Sequence, residues 1–334
     1  MSRVLHLVLF SEADHYVKMY QSTKTWYKQF EPNVKTLYYF RDASITEPII
    51  DEEKQFLRVP GVESYISGIL DKTIQAFEYF FDKKAYAFDF VVRSNISTVV
   101  NFPHLLPLLQ SCLQNRNFLF GSTLCSVLTP VSDTTKLICD EHPGLKFAHG
   151  TCLLFHPSTI SYLLSKKELL HKGVEDDVSF SLLFTQTQQE HKGVFLPRQM
   201  GLQYAGLNLT YNLDNVSAFR NHNFNSDRSV DVTNVGRATA ALQKRYDLRT
   251  KPSIPISKVT YGDTMDITKY IVVLCKAGGT WQSDGNNNTL DFLFNDPQPN
   301  TPKVLQITFN DSTVFAQNAT LTFFLQNKDQ LCVK

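Results

Sequence analysis

Three consecutive carboxylates, Glu175, Asp176 and Asp177, stand immediately before the apolar run Val178 to Phe184. Adjacent carboxylates repel and raise one another's pKa unless a cation, a metal or solvent offsets them, so Asp177, or else Asp176, can act as a general base. The same triplet also makes an ordinary helix start, since acids suit the N-terminal end of the helix dipole. Upstream, the apolar run Phe88-Asp89-Phe90-Val91-Val92 ends abruptly in Arg93-Ser94-Asn95. Arg93 can neutralise a diphosphate through bidentate hydrogen bonds, and Asn95 can lend a carbonyl oxygen to a hard divalent cation. A third group, Arg220, His222 and Arg228, joins an imidazole able to bind metal or diphosphate to two guanidinium groups that favour an anion. Blander roles exist for each: Arg93 as a surface ion pair, His222 and His149 as structural or solvent-facing side chains, Lys72 as the wet side of a helix rather than a nucleotide contact.

The elements that must position these groups follow from periodicity. Val4 to Phe10 reads as a buried strand, a polar helical segment follows, and Val34 to Phe40 reads as a second strand, the alternation of a parallel α/β sheet. Ligands of such sheets bind at the carboxyl ends of the strands, which makes Phe10 and Ser11, with Arg93, Ser94 and Asn95, the expected ligand-binding residues. Ile66, Ile69, Leu70, Ile74, Phe77 and Phe81 recur at helical spacing and predict a helix over 65–81. Ala148 to Phe155 reads as a strand, with Pro157-Ser158 opening a helix over Thr159 to Leu164. The prolines of Thr250-Lys251-Pro252-Ser253-Ile254-Pro255 mark a boundary between a domain over 1–250 and a second over 257–334. Beyond it, Thr, Val, Ile and Phe alternate between turn clusters, which predicts a small all-β sandwich whose Trp281 and Tyr261 either face a glycan or fill its core.

Composition narrows the function. With 33 basic against 32 acidic residues the chain has no field that would draw it to nucleic acid. Six scattered cysteines form no short ligand pattern, so neither disulfides nor zinc is expected. No apolar run is long enough for a transmembrane segment, and the opening residues read as a strand rather than a leader, which points to a cytoplasmic location. Walker, zincin, nucleophile-elbow and dinucleotide motifs are missing from the sequence.

The run Phe88 to Phe102 resembles the strand and metal-site segment of the fringe and β1,3-galactosyltransferase-like enzymes. Ala148 to Phe155 is similar to their small-residue-rich acceptor strand, and Val174-Glu175-Asp176-Asp177-Val178 to their Glu/Asp-Asp-Val motif. The resemblance covers roughly residues 4–185 and implies a GT-A-type, Rossmann-like mixed sheet flanked by helices. It implies an inverting glycosyltransferase using a nucleoside diphosphate sugar, with a UDP-sugar favoured, a glycan, protein or small-molecule acceptor, and an Asp as base. It also implies Mn²⁺ or Mg²⁺, here through Asn95 and His222, although Arg93-Ser94-Asn95 stands where the family carries its aspartates. That departure keeps open a catalytically inactive glycan- or nucleotide-sugar-binding protein. Tyr261 to Thr268, Phe294 to Pro297 and Lys303 to Phe309 resemble a small β-rich domain of unsettled activity. The missing membrane anchor suits a microbial or viral enzyme, in the host cytoplasm or virion if viral.

Overall fold

The computed structural model describes residues 3–64, 67–82, 87–113, 120–122, 125–130, 132–187, 202–204, 216–220, 228–250, 254–261, 265–278, 280–283, 305–309, 312–316, 321–326 and 330–333. The chain divides into two compact units, Met1–Leu242 and Gln243–Lys334.

The first unit opens with β1 (Val4–Leu9), α1 (Asp14–Lys28), β2 (Val34–Asp42), β3 (Ile49–Asp51), β4 (Phe56–Pro60), α2 (Ser67–Asp82) and β5 (Phe90–Asn95). It continues with β6 (Thr98–Val100), α3 (Phe102–Leu113), β7 (Phe120–Ser122), β8 (Cys125–Val127), α4 (Asp133–Glu141), β9 (Lys146–Ala148) and β10 (Cys152–Phe155). It closes with α5 (Pro157–Ser165), α6 (Asp176–Gln186), β11 (Leu202–Tyr204), β12 (Ala218–Arg220) and α7 (Ser229–Thr250), the last running across the division between the units. The main sheet has seven strands in the order β3-β4-β2-β1-β5-β10-β7. Its centre, β4-β2-β1-β5, is parallel. Strands β3, β10 and β7 pair antiparallel, so the fold is α/β with a mixed sheet.

The period-2 alternation of the strands sends side chains to two helical layers. Leu5, Leu7, Leu37, Tyr39, Val91, Leu153 and Phe155 form one core with Leu70, Phe77 and Phe80 of α2, Ile160 and Leu163 of α5, and Phe180, Leu183 and Phe184 of α6. The expected 65–81 helix is thus present as α2, with Leu70 and Phe77 fully buried; residues 65 and 66 lie outside the described residues. On the opposite face His6 meets the rings of Tyr27 and Phe102 edge-on at 4.7 and 5.1 Å. Trp26 Nε1 donates to the Val100 carbonyl at 2.9 Å, tying α1 to the strand after β5. Strand β12 pairs antiparallel with β6, placing Arg220 opposite Thr98.

One expected strand is broken. Ala148 to Phe155 reads as a continuous strand, but the chain leaves β9 at Ala148 and re-enters the main sheet only at Cys152. His149-Gly150-Thr151 between them forms a step at the sheet edge, for a reason set out below.

The second unit holds two four-stranded antiparallel sheets. One joins β13 (Ile254–Pro255), β20 (Gln330–Val333), β19 (Leu321–Gln326) and β16 (Thr280–Ser283). The other joins β15 (Met265–Asp266), β14 (Lys258–Tyr261), β17 (Leu305–Phe309) and β18 (Ser312–Ala316). It also contains α8 (Thr268–Gly278), where the sequence reading expects only strands. Ile271 and Cys275, one helical turn apart, are buried, and Asp266 Oδ1 accepts from the Thr268 amide at 3.0 Å at the helix start. Burial of that stripe overrides the β preference of the Ile-Val-Val run. The side chains of Trp281 and Tyr261 lie outside the described residues.

Leu153, wholly buried in the layer between sheet and helices, tests this packing. Leu153→Ala is expected to lower unfolding free energy by about 2–5 kcal/mol in a denaturant titration.

Candidate active site

A cavity of about 460 Å³ opens at the carboxyl edge of the parallel strands. Its floor comes from Phe10 and Ser11 after β1, Arg93 and Asn95 of β5, and the His149-Gly150-Thr151 step. The N-terminus of α6 supplies Glu175, Asp176 and Asp177, while Lys72 of α2, Tyr16 of α1, Glu63, Ser97, Arg220 and Arg228 complete the wall.

The acidic residues are not the solvated helix start that the bland reading expects. Asp176 is 3% exposed and Asp177 8%. Asp176 Oδ2 accepts from Arg93 Nη2 at 2.8 Å in an ion pair with both side chains buried. Asp176 Oδ1 accepts from the Asp177 amide at 3.0 Å. Asp177 Oδ2 accepts from the Gly150 amide at 2.6 Å, and its Oδ1 from the Val178 amide at 3.0 Å.

Arg93 is a correction. Neither a surface ion pair nor an open diphosphate clamp, it is 1% exposed. Its Nη1 donates to Asn95 Oδ1 at 2.9 Å and to the Gly150 carbonyl, and its Nε donates to the Tyr39 hydroxyl at 3.3 Å. That hydroxyl lies 2.8 Å from Thr73 Oγ1. Strand register explains the burial, since Arg93 pairs with Leu7 and shares the face of Leu37 and Tyr39 that α2 and α6 cover.

Ser94 points the other way. One residue along the pleat puts it on the α1 face, fully buried, with its Oγ 2.9 Å from His6 Nε2. Its side chain is held in the core rather than presented to a ligand. Burial lowers His6 to about 3, so the ring is neutral and serves this interior hydrogen bond.

Gly150 explains the broken strand. Its amide donates to Asp177 and its carbonyl accepts from Arg93, so one peptide step joins both charged groups. A Cβ there would lie 2.7 Å from Asp177 Oδ2 and 2.9 Å from its Cγ, an approach only glycine permits.

Lys72 is a second correction. It is 2% exposed rather than on a wet helix side. Its Nζ donates to the Phe10 carbonyl at 2.9 Å and to both Glu63 carboxylate oxygens at 2.8 Å. Desolvation lowers its pKa, and Glu63 opposes the fall. This ammonium pins the end of β1 at the cavity floor. Across the cavity, Arg220 Nη1 donates to Ser97 Oγ at 2.6 Å, and Arg228 pairs with buried Asp231 at 2.7 Å. His149 Nδ1 sits 3.2 Å from Thr151 Oγ1.

The electrostatics single out Asp177. Burial first, and then the neighbouring Asp176 charge, raise its pKa from 3.8 to about 7, against the pull of Arg93 and of the Gly150 and Val178 amides. Burial raises Asp176 too, and the guanidinium at 2.8 Å opposes that rise. Both carboxyls are therefore pushed up, and Arg93 is in direct contact with Asp176 rather than Asp177.

The expected metal ligands are Asn95 and His222. Among the described residues no three His, Cys, Asp or Glu side chains cluster as a metal site. The Asn95 carbonyl oxygen accepts from Arg93, and His222 lies outside the described residues. Also among the described residues, no helix is long and apolar enough to cross a membrane.

No protein-family model matches the chain, and no curated protein matches it. Among solved structures it is similar to glycosyltransferase GlyE of Streptococcus pneumoniae TIGR4 in its apo form, with a TM-score of 0.37 and 10% identity over 75% of this chain and 64% of that one. A second GlyE structure gives a TM-score of 0.38 and 10% identity over 82% and 72%. The chain thus spans less than two thirds of the first. Likeness this loose bears on neither fold nor chemistry, which rest on the geometry above.

Tyr39, Thr73, Gly150, Tyr16 and Glu63, the partner of Lys72, are additions to the site expected from sequence. The alternation of β2 and β5 puts Tyr39 and Arg93 on one face, a signal available in the sequence; the Gly150 contact is long-range and leaves no local trace.

Two outcomes follow. Gly150→Ala is expected to cost about 1–3 kcal/mol in chemical unfolding, because the methyl must displace the Asp177 carboxylate. Asp177 binds its proton more tightly in the folded chain, so its stabilising contribution is full below its ordinary value of 3.8 and lost as pH rises to about 7. Thermal melts across that window are expected to show the wild type losing more stability than Asp177→Asn.

Proposed function

We propose that this chain is a glycosyltransferase of GT-A type that moves a sugar from a nucleoside diphosphate sugar, a UDP-sugar by preference, to a hydroxyl acceptor with inversion. The observation that carries the reading is Asp177, a buried carboxyl held by the Gly150 and Val178 amides in the wall of a cavity of about 460 Å³ at the carboxyl edge of a parallel sheet, where burial and the Asp176 charge push its pKa up to about 7. A base poised near neutrality is what removal of a hydroxyl proton requires. The resemblance of Val174 to Val178 to the Glu/Asp-Asp-Val motif supports the same residue.

In this mechanism Asp177 accepts the acceptor's hydroxyl proton as that oxygen bonds to the anomeric carbon. The bond from that carbon to the diphosphate breaks, and its electron pair leaves with the diphosphate. A single displacement inverts the anomeric centre. Arg220 and Arg228, which also line the cavity, are the cations nearest to hand for the departing charge, Arg228 while keeping its pair with Asp231. Lys72 holds the Phe10 carbonyl and so fixes the loop beside the donor, and Tyr16 offers an aromatic surface to the base. No step is assigned to a metal. The second reading is a protein that binds a nucleotide sugar or glycan without turnover, suggested by Arg93-Ser94-Asn95 standing where the resembling family carries its aspartates.

Release of nucleoside diphosphate from UDP- and GDP-sugars, assayed with glycan acceptors, separates the two. Asp177→Asn is expected to lower kcat by about 10²–10⁴ while leaving donor affinity in place. The wild-type rate is expected to rise with pH and level off above about 7. Absence of turnover in wild type with every donor, with binding retained, selects the binding protein.

A further inference from the structure

The two adjacent aspartates have different surroundings, and the difference originates in one buried arginine. Arg93 reaches four acceptors from β5: Asp176, the Tyr39 hydroxyl, Asn95 Oδ1 and the Gly150 carbonyl. Three of those grips orient it, since Tyr39 is braced by Thr73, Asn95 sits at the end of the same strand, and Gly150 belongs to the step between β9 and β10. The fourth is the Asp176 carboxylate, which also lies 3.4 Å from Thr73 Oγ1. Asp177 meets this unit twice: its own amide donates to Asp176 Oδ1 at 3.0 Å, and Gly150, whose carbonyl accepts from Arg93, donates its amide to Asp177 Oδ2.

We propose that Arg93 and Asp176 work as one positioning unit: the guanidinium, in direct contact with Asp176 alone of the two aspartates, makes Asp176 the carboxyl that keeps its charge, and that charge, with Gly150 clamped beside it, assigns the exchangeable proton to Asp177. Neither Arg93 nor Asp176 is a catalytic residue in this assignment. The inference rests on the base role given to Asp177 above, and it divides labour between two aspartates that the sequence leaves interchangeable.

The geometry supports the division. Two carboxylates on consecutive residues, both almost wholly buried, cannot both ionise cheaply with one cation between them, and a cation held by four acceptors cannot swing from one to the other. Asp177 accepts only backbone amides, which hold it in place and leave each oxygen a further lone pair. The other charged groups around the cavity are Glu175 of α6, Lys72 of α2 with its partner Glu63, His149 beside Gly150, and Arg220 and Arg228 opposite. Lys72 is neutralised by Glu63, and Arg228 by Asp231. The burial-driven rise of Asp177 and the adjacent charge of Asp176 agree with the assignment.

Carbon-13 NMR titration of the aspartate carboxyls in full-length protein tests it without any need for turnover. Wild-type Asp177 is expected to titrate near 7, and Asp176 to stay ionised to lower pH. In Asp176→Asn, losing the neighbouring charge is expected to lower the Asp177 midpoint by one unit or more, and any acid limb of the rate profile moves with it. An unmoved Asp177 midpoint in the variant overturns the proposal. So does wild-type Asp177 titrating in the ordinary carboxylate range, which decides the matter even if the variant fails to fold. A missing rate with the expected titrations sinks the transferase reading and leaves the positioning unit standing.

Discussion

The buried ion pair between Arg93 and Asp176 is the constraint on which the site's arrangement depends. A guanidinium at 1% exposure must find acceptors for its donors, and removing one partner of such a pair costs about 3–5 kcal/mol. Strand β5 therefore cannot bury Arg93 unless β2 brings Tyr39, the β9–β10 step brings Gly150 and α6 begins at Asp176. Each of these elements is fixed elsewhere by apolar packing, through Leu37, Leu153 and Phe180 in one core. Packing sets the frame, and the ion pair sets the register of the charged groups within it.

The arrangement has a chemical consequence at Asp177. Its carboxyl is desolvated, next to a compensated negative charge, and held by two amides. Such a group is costly to keep ionised and is correspondingly good at taking a proton near neutral pH. The glycine at position 150 is the steric condition for this closeness, and the interruption between β9 and β10 is its structural expression.

Much of the frame was legible in the sequence. The alternation of Val4 to Phe10 and Val34 to Phe40, the helical spacing from Ile69 to Phe81 and the placement of acids before Val178 all correspond to observed elements. Local periodicity records which face a residue buries, but not what it meets there. Lys72 looked like a wet helix residue because its partners, Phe10 and Glu63, come from other elements. Arg93 looked free for a ligand for the same reason, and Ser94 shared its candidacy although the pleat turns it toward His6. The helix α8 was hidden by a β-branched run whose burial decides its conformation.

Isothermal titration of the chain with UDP, GDP and their sugar conjugates, with and without Mn²⁺, tests most directly the claim that this cavity seats a nucleoside diphosphate sugar. The account predicts saturable binding of one diphosphate class, weakened in Arg220→Ala and retained in Asp177→Asn. Binding of none of these ligands, under either metal condition, would contradict it.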